Sequence, residues 1–337
     1  MKKLILISND YLRFHNNSVS SNYNDTINII QAISKNNFLY FLCRKKNRKG
    51  IFKTTLKKKK KLKFFDIFSL DFSDKLIFMI SITPFNFMTY FLIKLLNKKL
   101  NGFVYLRSDG HKEYFIKYGF LGKIIYQFFF KSILKDLKVI TVSKNLTNIN
   151  NYKTSRIYPS EIDYRWKTNL KKTYTEKAKL FYLGRVKKEK GVFSLINLVN
   201  KFSIDFDLNI LGATIIKKSL SNKIKYHLET SKKEKIIEFF DKNNIFILPS
   251  YTEGYPKVVL ESLSRLRPVI IFNEISHVKA NFKGVFVSKR KSKSLQKTII
   301  HILNNYKKIQ KIMKNNKISS KLKFQTDLRN LIKRNRY

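Results

Sequence analysis

The sequence is short of cysteine, of acidic residues and of long apolar runs, and each shortage excludes something. One cysteine, Cys43, in 337 residues rules out an internal disulfide framework and any cysteine-rich metal site, and suits a reducing cytosol. Only 22 Asp and Glu stand against 70 Lys and Arg, a formal charge of +48. Such an excess favours anionic partners: a membrane surface, a phosphorylated glycan or nucleic acid. Lys, Asn, Ile and Phe are all abundant, and their codons are rich in A and T, so part of the excess reads as composition. The basic residues are scattered along the whole chain rather than gathered on one recognition element, which weighs against a nucleic-acid-binding protein. The opening is basic, but the apolar stretch Leu4–Ile7 is too short for a secretory h-region and reads as a first strand. Leu76–Leu96 alone has the length of a membrane span. Thr83, Pro84 and Asn86 near its middle make it a buried strand, a loop and a helix instead. The expected location is cytoplasmic, with the charge allowing peripheral contact at the cytosolic face of an inner membrane.

What is present is material for two cores. The length exceeds one ordinary core and suits two domains of about 150 residues. Short apolar runs alternate with longer amphipathic ones, the pattern of parallel sheets covered by helices. Strands are expected at Leu4–Ser8, Phe38–Cys43, Phe103–Leu106 and Val139–Val142, with solvated basic sequence over Arg44–Lys63. Lys112–Lys135 reads as a long helix rich in aromatics and lysines, either a core helix or one lying on a membrane interface. After a polar linker near 160–178 the alternation resumes: strands at Leu180–Leu183, Leu208–Leu211, Ile224–His227, Ile245–Leu248 and Pro268–Phe272, helices at Gly191–Phe202, Lys232–Asp241 and Lys257–Arg265. The fold class is therefore α/β, with one domain over 1–165, a second over 178–315, and a helical tail over 316–337 that could return to the first.

The stretch that carries chemistry is Leu248-Pro249-Ser250-Tyr251-Thr252-Glu253-Gly254-Tyr255-Pro256-Lys257-Val258-Val259-Leu260-Glu261-Ser262. A strand delivers a loop, Gly254 lets backbone approach a ligand, and Pro256 suits the start of a helix. Backbone N–H groups at that helix start can bind an anion such as a diphosphate. Glu253 in the loop and Glu261 inside the helix could hold a sugar hydroxyl at one end and a ribose diol at the other.

This stretch resembles the Glu-(seven residues)-Glu signature of retaining GT-B glycosyltransferases of family 4, with Glu253 and Glu261 in the two positions. The resemblance implies two Rossmann-like domains with parallel sheets facing across a cleft, an acceptor-binding first and a nucleotide-sugar-binding second. It implies that Glu253 contacts the transferred sugar and Glu261 the ribose, with the backbone of Gly254, Tyr255, Pro256 and Lys257 near the sugar and phosphate. Gly184-Arg185 and Lys190-Gly191 look like the family's Gly-Arg…Lys-Gly loop, so Arg185 and Lys190 would grip the donor diphosphate. Tyr105-Leu106-Arg107-Ser108-Asp109-Gly110-His111 and Val142-Ser143-Lys144 follow first-domain strands as in family members, making Asp109 and His111 catalytic candidates; a capping aspartate in a polar turn is the alternative. Three departures stand out: no glycine in Asn9–Asn24, Pro159-Ser160-Glu161-Ile162-Asp163 for the usual Pro-Asn-Gly-Val-Asp turn, and Arg265-Leu266-Arg267 before Pro268.

The implied activity is transfer of a sugar from a nucleotide-diphosphate donor to a glycan or lipid-linked saccharide, in polysaccharide or lipopolysaccharide synthesis. No cofactor and no metal site is expected, since Arg185 with Lys190 could do a cation's work. A GT-B epimerase or phosphorylase is the enzymatic alternative. Lys257 could favour an acidic sugar.

Overall fold

The computed structural model describes residues 2–45, 50–72, 74–97, 99–142, 152, 154–173, 175–213 and 222–334. Ser143 and Lys144 lie outside these. The chain forms two compact units, Met1–Pro159 with Leu322–Tyr337, and Ser160–Lys321.

In the first unit the elements run β1 (Lys2–His15), β2 (Ser18–Ser21), α1 (Asn24–Ser34), β3 (Asn37–Lys45), β4 (Phe52–Thr55), β5 (Lys59–Lys61), β6 (Lys75–Ile80), α2 (Pro84–Leu96), β7 (Gly102–Leu106), α3 (Gly110–Leu134), β8 (Lys138–Thr141) and β9 (Thr154–Arg156). Parallel pairing gives the order β5-β3-β1-β6-β7-β8-β9. The central β1 is apolar on both faces, with Leu4 to Ile7 fully buried, as a strand covered by helices on both sides must be. Sequence reasoning ended this strand at Ser8. It instead passes a register shift between Ser8 and Leu12 and continues as an antiparallel ribbon with β2, which pairs in turn with β4. A hairpin turning at Asn16-Asn17 thus occupies the segment without glycine. The basic run over 44–63 also differs from expectation, because β4 and β5 place parts of it on sheet edges.

The span-length segment Leu76–Leu96 divides into β6 and α2. Ser81 takes φ +64 between them, Asn86 Nδ2 donates to the carbonyls of Ile80 (2.7 Å) and Ser81 (2.8 Å), and the Thr83 hydroxyl caps the helix by accepting from Asn86 N. Pro84 sits at the first helical turn, where its missing N–H costs nothing. Among the described residues no helix is long and apolar enough to cross a membrane.

The second unit runs β10 (Ala178–Leu183), α4 (Val192–Val199), β11 (Phe206–Ala213), β12 (Ile224–Leu228), α5 (Lys233–Lys242), β13 (Ile245–Leu248), α6 (Lys257–Ser264), β14 (Val269–Phe272), β15 (Val285–Ser288), α7 (Ser292–Asn304) and α8 (Tyr306–Met313). Its sheet is parallel throughout, in the order β12-β11-β10-β13-β14-β15. The final helix α9 (Lys321–Arg334) turns Phe324, Leu328 and Ile332 into the first unit, where the Phe324 ring lies 6.5 Å from that of Tyr105.

The segment read as a polar linker is packed onto the second unit. Trp166 is 1% exposed with its ring 5.5 Å from that of Phe240. Arg265 and Arg267, also buried, explain why this stretch is ordered. Arg265 makes a two-pronged pair with Asp241 (2.9 and 2.6 Å) and donates to the carbonyls of Trp166, Thr168 and Asn169. Arg267 donates to the carbonyls of Phe240, Asn243, Arg265 and Lys171. The guanidinium forks supply donors to backbone that has no ladder of its own.

Candidate functional site

In a parallel sheet every strand ends at the same edge, and the loops leaving that edge form the natural binding surface. In the second unit the loop after β10 carries Arg185 and Lys190, and the loop after β13 carries Glu253. The structure brings these two loops together. Lys190 Nζ lies 2.7 Å from Glu253 Oε1, and the same oxygen accepts from the Ser250 hydroxyl at 2.7 Å. Tyr251 N donates to the Glu189 carbonyl, tying the loops through backbone as well.

Close approach of the loops depends on Gly191. It adopts φ +68 as the left-handed residue before α4, and a Cβ there would lie 1.9 Å from the Pro249 carbonyl oxygen. Gly212 performs a similar service one strand away, at φ +119 with a notional Cβ 2.2 Å from the Gly184 carbonyl. Arg185 is exposed, and its backbone is fixed by the Tyr182 hydroxyl, which donates to the Arg185 carbonyl at 2.9 Å. Burial holds that phenol well above its ordinary pKa, so it remains a donor at any physiological pH.

Gly254 and Pro256 are buried, Tyr255 is half-buried, and Pro256 precedes α6 without any side-chain cap on the helix. Lys257 then opens the helix, where a cation opposes the macrodipole. Its ammonium is 2.9 Å from Glu161 Oε1, and Glu161 is only 6% exposed. Glu161, in the turn that departs from the family pattern, and Lys257, on the helix, are thus one ion pair. Glu261 lies on the same helix, half-buried.

Sequence reasoning missed four supporting residues. Ser250 orients the Glu253 carboxylate, and Tyr182 fixes Arg185. His277 Nε2 lies 3.1 Å from the Glu253 carbonyl oxygen, which requires that nitrogen to carry the proton. Arg290 braces the outside of the loop: its guanidinium sits 4.3 Å from the ring centroids of both Tyr251 and Phe272, donates to the Pro249 carbonyl, and pairs with Glu274 at 2.6 Å. Ser250 and Tyr182 lie inside the quoted motifs, but nothing local shows their contacts, and Arg290 is hidden in a chain with 70 Lys and Arg.

Asp109 and His111 lie in the first unit, at the start of α3. Asp109 is the helix cap, accepting from Lys112 N at 3.3 Å. His111 is 4% exposed, bonded to Gln127 Oε1 through Nε2 and set edge-on between the rings of Tyr126 and Phe130. Burial lowers its pKa, and the bond to Gln127 and the Asp109 carboxylate only partly offset that. Among the described residues no cluster of three or more His, Cys, Asp or Glu could hold a metal ion.

Residues 165–319 match the family described as glycosyl transferases group 1, a span that coincides with nearly all of the second unit. The second unit is a group 1 glycosyltransferase domain. Within this glycosyltransferase domain fall Arg185, Lys190, Glu253 and Glu261. The chain is also 32% identical over 91 residues to a protein of Bacillus subtilis (strain 168) described as the teichuronic acid biosynthesis glycosyltransferase TuaC; that stretch is 26% of this chain and spans 23% of the relative's length. Over the whole chain the fold is that of GT-B glycosyltransferases. Sucrose-phosphate synthase (tll1590) from Thermosynechococcus elongatus superposes with a TM-score of 0.72 at 13% identity, covering 99% of both chains. Anabaena Alr3699/HepE in complex with UDP-glucose gives 0.69 at 10% identity, covering 99% of this chain and all of that one.

Proposed function

We propose that the protein is a retaining glycosyltransferase of family 4. It moves a sugar from a nucleoside-diphosphate donor to a glycan or lipid-linked saccharide, in the synthesis of cell-surface polysaccharide or lipopolysaccharide. The observation that carries this reading is the meeting of Lys190 and Glu253 at 2.7 Å, at the strand ends of the glycosyltransferase domain and beside an uncapped helix start. Arg185 and Lys190 bind the diphosphate and stabilise its charge as the glycosidic bond breaks, so no metal ion or other cofactor takes part. The uncapped N–H groups at the start of α6 add to that grip. Glu261 holds the ribose, and Glu253, steered by Ser250, orients the sugar. The acceptor hydroxyl attacks the anomeric carbon from the face the phosphate leaves, and the departing phosphate takes its proton. In the first unit Asp109, the cap of α3, and His111, whose pKa burial lowers, are the candidates to approach the transferred sugar.

The test is a thermal-shift panel of nucleotides and nucleotide sugars in chelator, for the parent and for Glu261→Ala. Stabilisation by one nucleoside-diphosphate family, lost in the variant, is the expected result. Glu253→Ala should keep most of the nucleotide shift while turnover falls by about a hundredfold or more. Equal and negligible effects of the two substitutions would remove the site assignment.

A further inference from the structure

The helical layer over one face of the first unit's sheet is apolar on both sides. Inward, Ile67, Phe87, Ile93, Tyr126 and Phe130 fill the core beneath it, so α2, α3 and the 3-10 turn Phe64–Ile67 share one layer. Outward, that layer presents large apolar side chains to solvent. On α3, Tyr118, Phe120 and Leu121 are 66%, 67% and 72% exposed. They flank Gly119, which breaks the helix at φ +68 with open space where a Cβ would stand. Phe128 extends the surface and meets α2 through Phe87, whose ring lies 5.6 Å from that of Phe128 and 6.1 Å from that of Phe91. Phe65 on the 3-10 turn is 80% exposed.

Large exposed apolar side chains in this number on one helical layer mark a surface that leaves water in use. Charge decides what covers it. Lys112, Lys117, Lys123 and Lys131 on α3 are all exposed, against a single acid on that helix, Glu113. A second copy of the chain would bring like charges face to face, each copy carrying +48. Anionic lipid offers both an apolar phase and the opposite charge. We propose that this face docks on the surface of an anionic bilayer, with Tyr118, Phe120 and Leu121 around the Gly119 kink seated among the acyl chains and the α3 lysines on headgroup phosphates. The inference stands on the first unit alone and does not depend on the donor reading.

Flotation of the full chain with phosphatidylcholine vesicles, with and without phosphatidylglycerol, tests it. The chain should float with the anionic vesicles, and the double variant Phe120→Ser/Leu121→Ser should partition about tenfold or more weakly, since two buried apolar side chains are lost from the lipid phase. An unchanged urea midpoint would show that the variant is folded. A Phe120→Trp variant should shift its emission to the blue on adding the same vesicles, while Trp166, the one native tryptophan, is buried and supplies a constant background. Vesicle binding equal in parent and double variant, with no blue shift, would mean contact through charge alone and overturn the proposal. So would a self-association that the double variant abolishes in a chain that does not float, because a second copy would then own the face.

Discussion

The ion pair between Glu161 and Lys257 offers a direct measurement of how the glycosyltransferase domain departs from its family pattern. The side chains are 7% and 20% exposed and their charged atoms 2.9 Å apart. At an effective dielectric near 20, unit charges about 4 Å apart attract by about 4 kcal/mol. Desolvation consumes much of this, leaving an expected coupling of about 2 kcal/mol. Lys257→Met strands a buried carboxylate and should cost about 2–3 kcal/mol; Lys233 and Lys321 soften the loss, the former already donating to the Glu161 carbonyl at 3.4 Å. Glu161→Gln should cost a similar amount, and the double variant markedly less than the sum. Urea unfolding followed by Trp166 fluorescence is the assay, because the only tryptophan lies in the core of this unit and reports on it without the other. Lys257→Met should also bind the nucleoside diphosphate within about threefold of the parent, since its ammonium is spent on Glu161 and the backbone makes the contact. Additive single effects, with coupling under about 0.5 kcal/mol, would refute the pair as the reason these two residues occur together.

Arg265→Ala should be among the most damaging single changes, by about 3–5 kcal/mol in the same assay, because it leaves half-buried Asp241 with Arg267 alone, at 3.5 Å, and takes the donor from three carbonyls. Gly191→Ala should cost about 2 kcal/mol or more and weaken nucleotide binding together with stability, since the new methyl displaces the Pro249 carbonyl and with it the Glu253 loop; retained binding in a destabilised protein would argue that the loop tolerates the shift. His111 is held neutral by burial, with its folded pKa below the ordinary 6.5. Its contribution to stability is therefore present above pH 6.5 and lost as pH falls through that value toward the folded pKa. The thermal midpoint of the first unit, followed by circular dichroism from pH 7.5 to 5, should fall less steeply in His111→Gln than in the parent.

Much was legible in the sequence because it is local. Strand-length apolar runs such as Ile245–Leu248 and Val269–Phe272 alternate with amphipathic helices at a spacing only a parallel α/β arrangement satisfies. The Glu-Gly-Tyr-Pro stretch lies on one loop and the start of one helix, so its residues stand together along the chain even though distant residues fix the loop. Other features depended on partners distant in the chain. The length of β1 was hidden because its second half pairs with β2 and β4 rather than with another buried strand, and polar residues suffice there. The linker read as loose because Lys171 and Asn169 are polar; that two arginines about 100 residues later hold their carbonyls is a matter of packing. The pairing of Lys190 with Glu253, of Lys257 with Glu161, and the bracing by Arg290 are equally invisible in a chain with 70 basic residues, where no composition or period singles out three. By itself the sequence determined two α/β units and the residue types at the strand ends of the second. Only the tertiary structure decided which charges meet there, since an ion pair needs atoms within about 4 Å and that distance is set by the fold, not by separation along the chain.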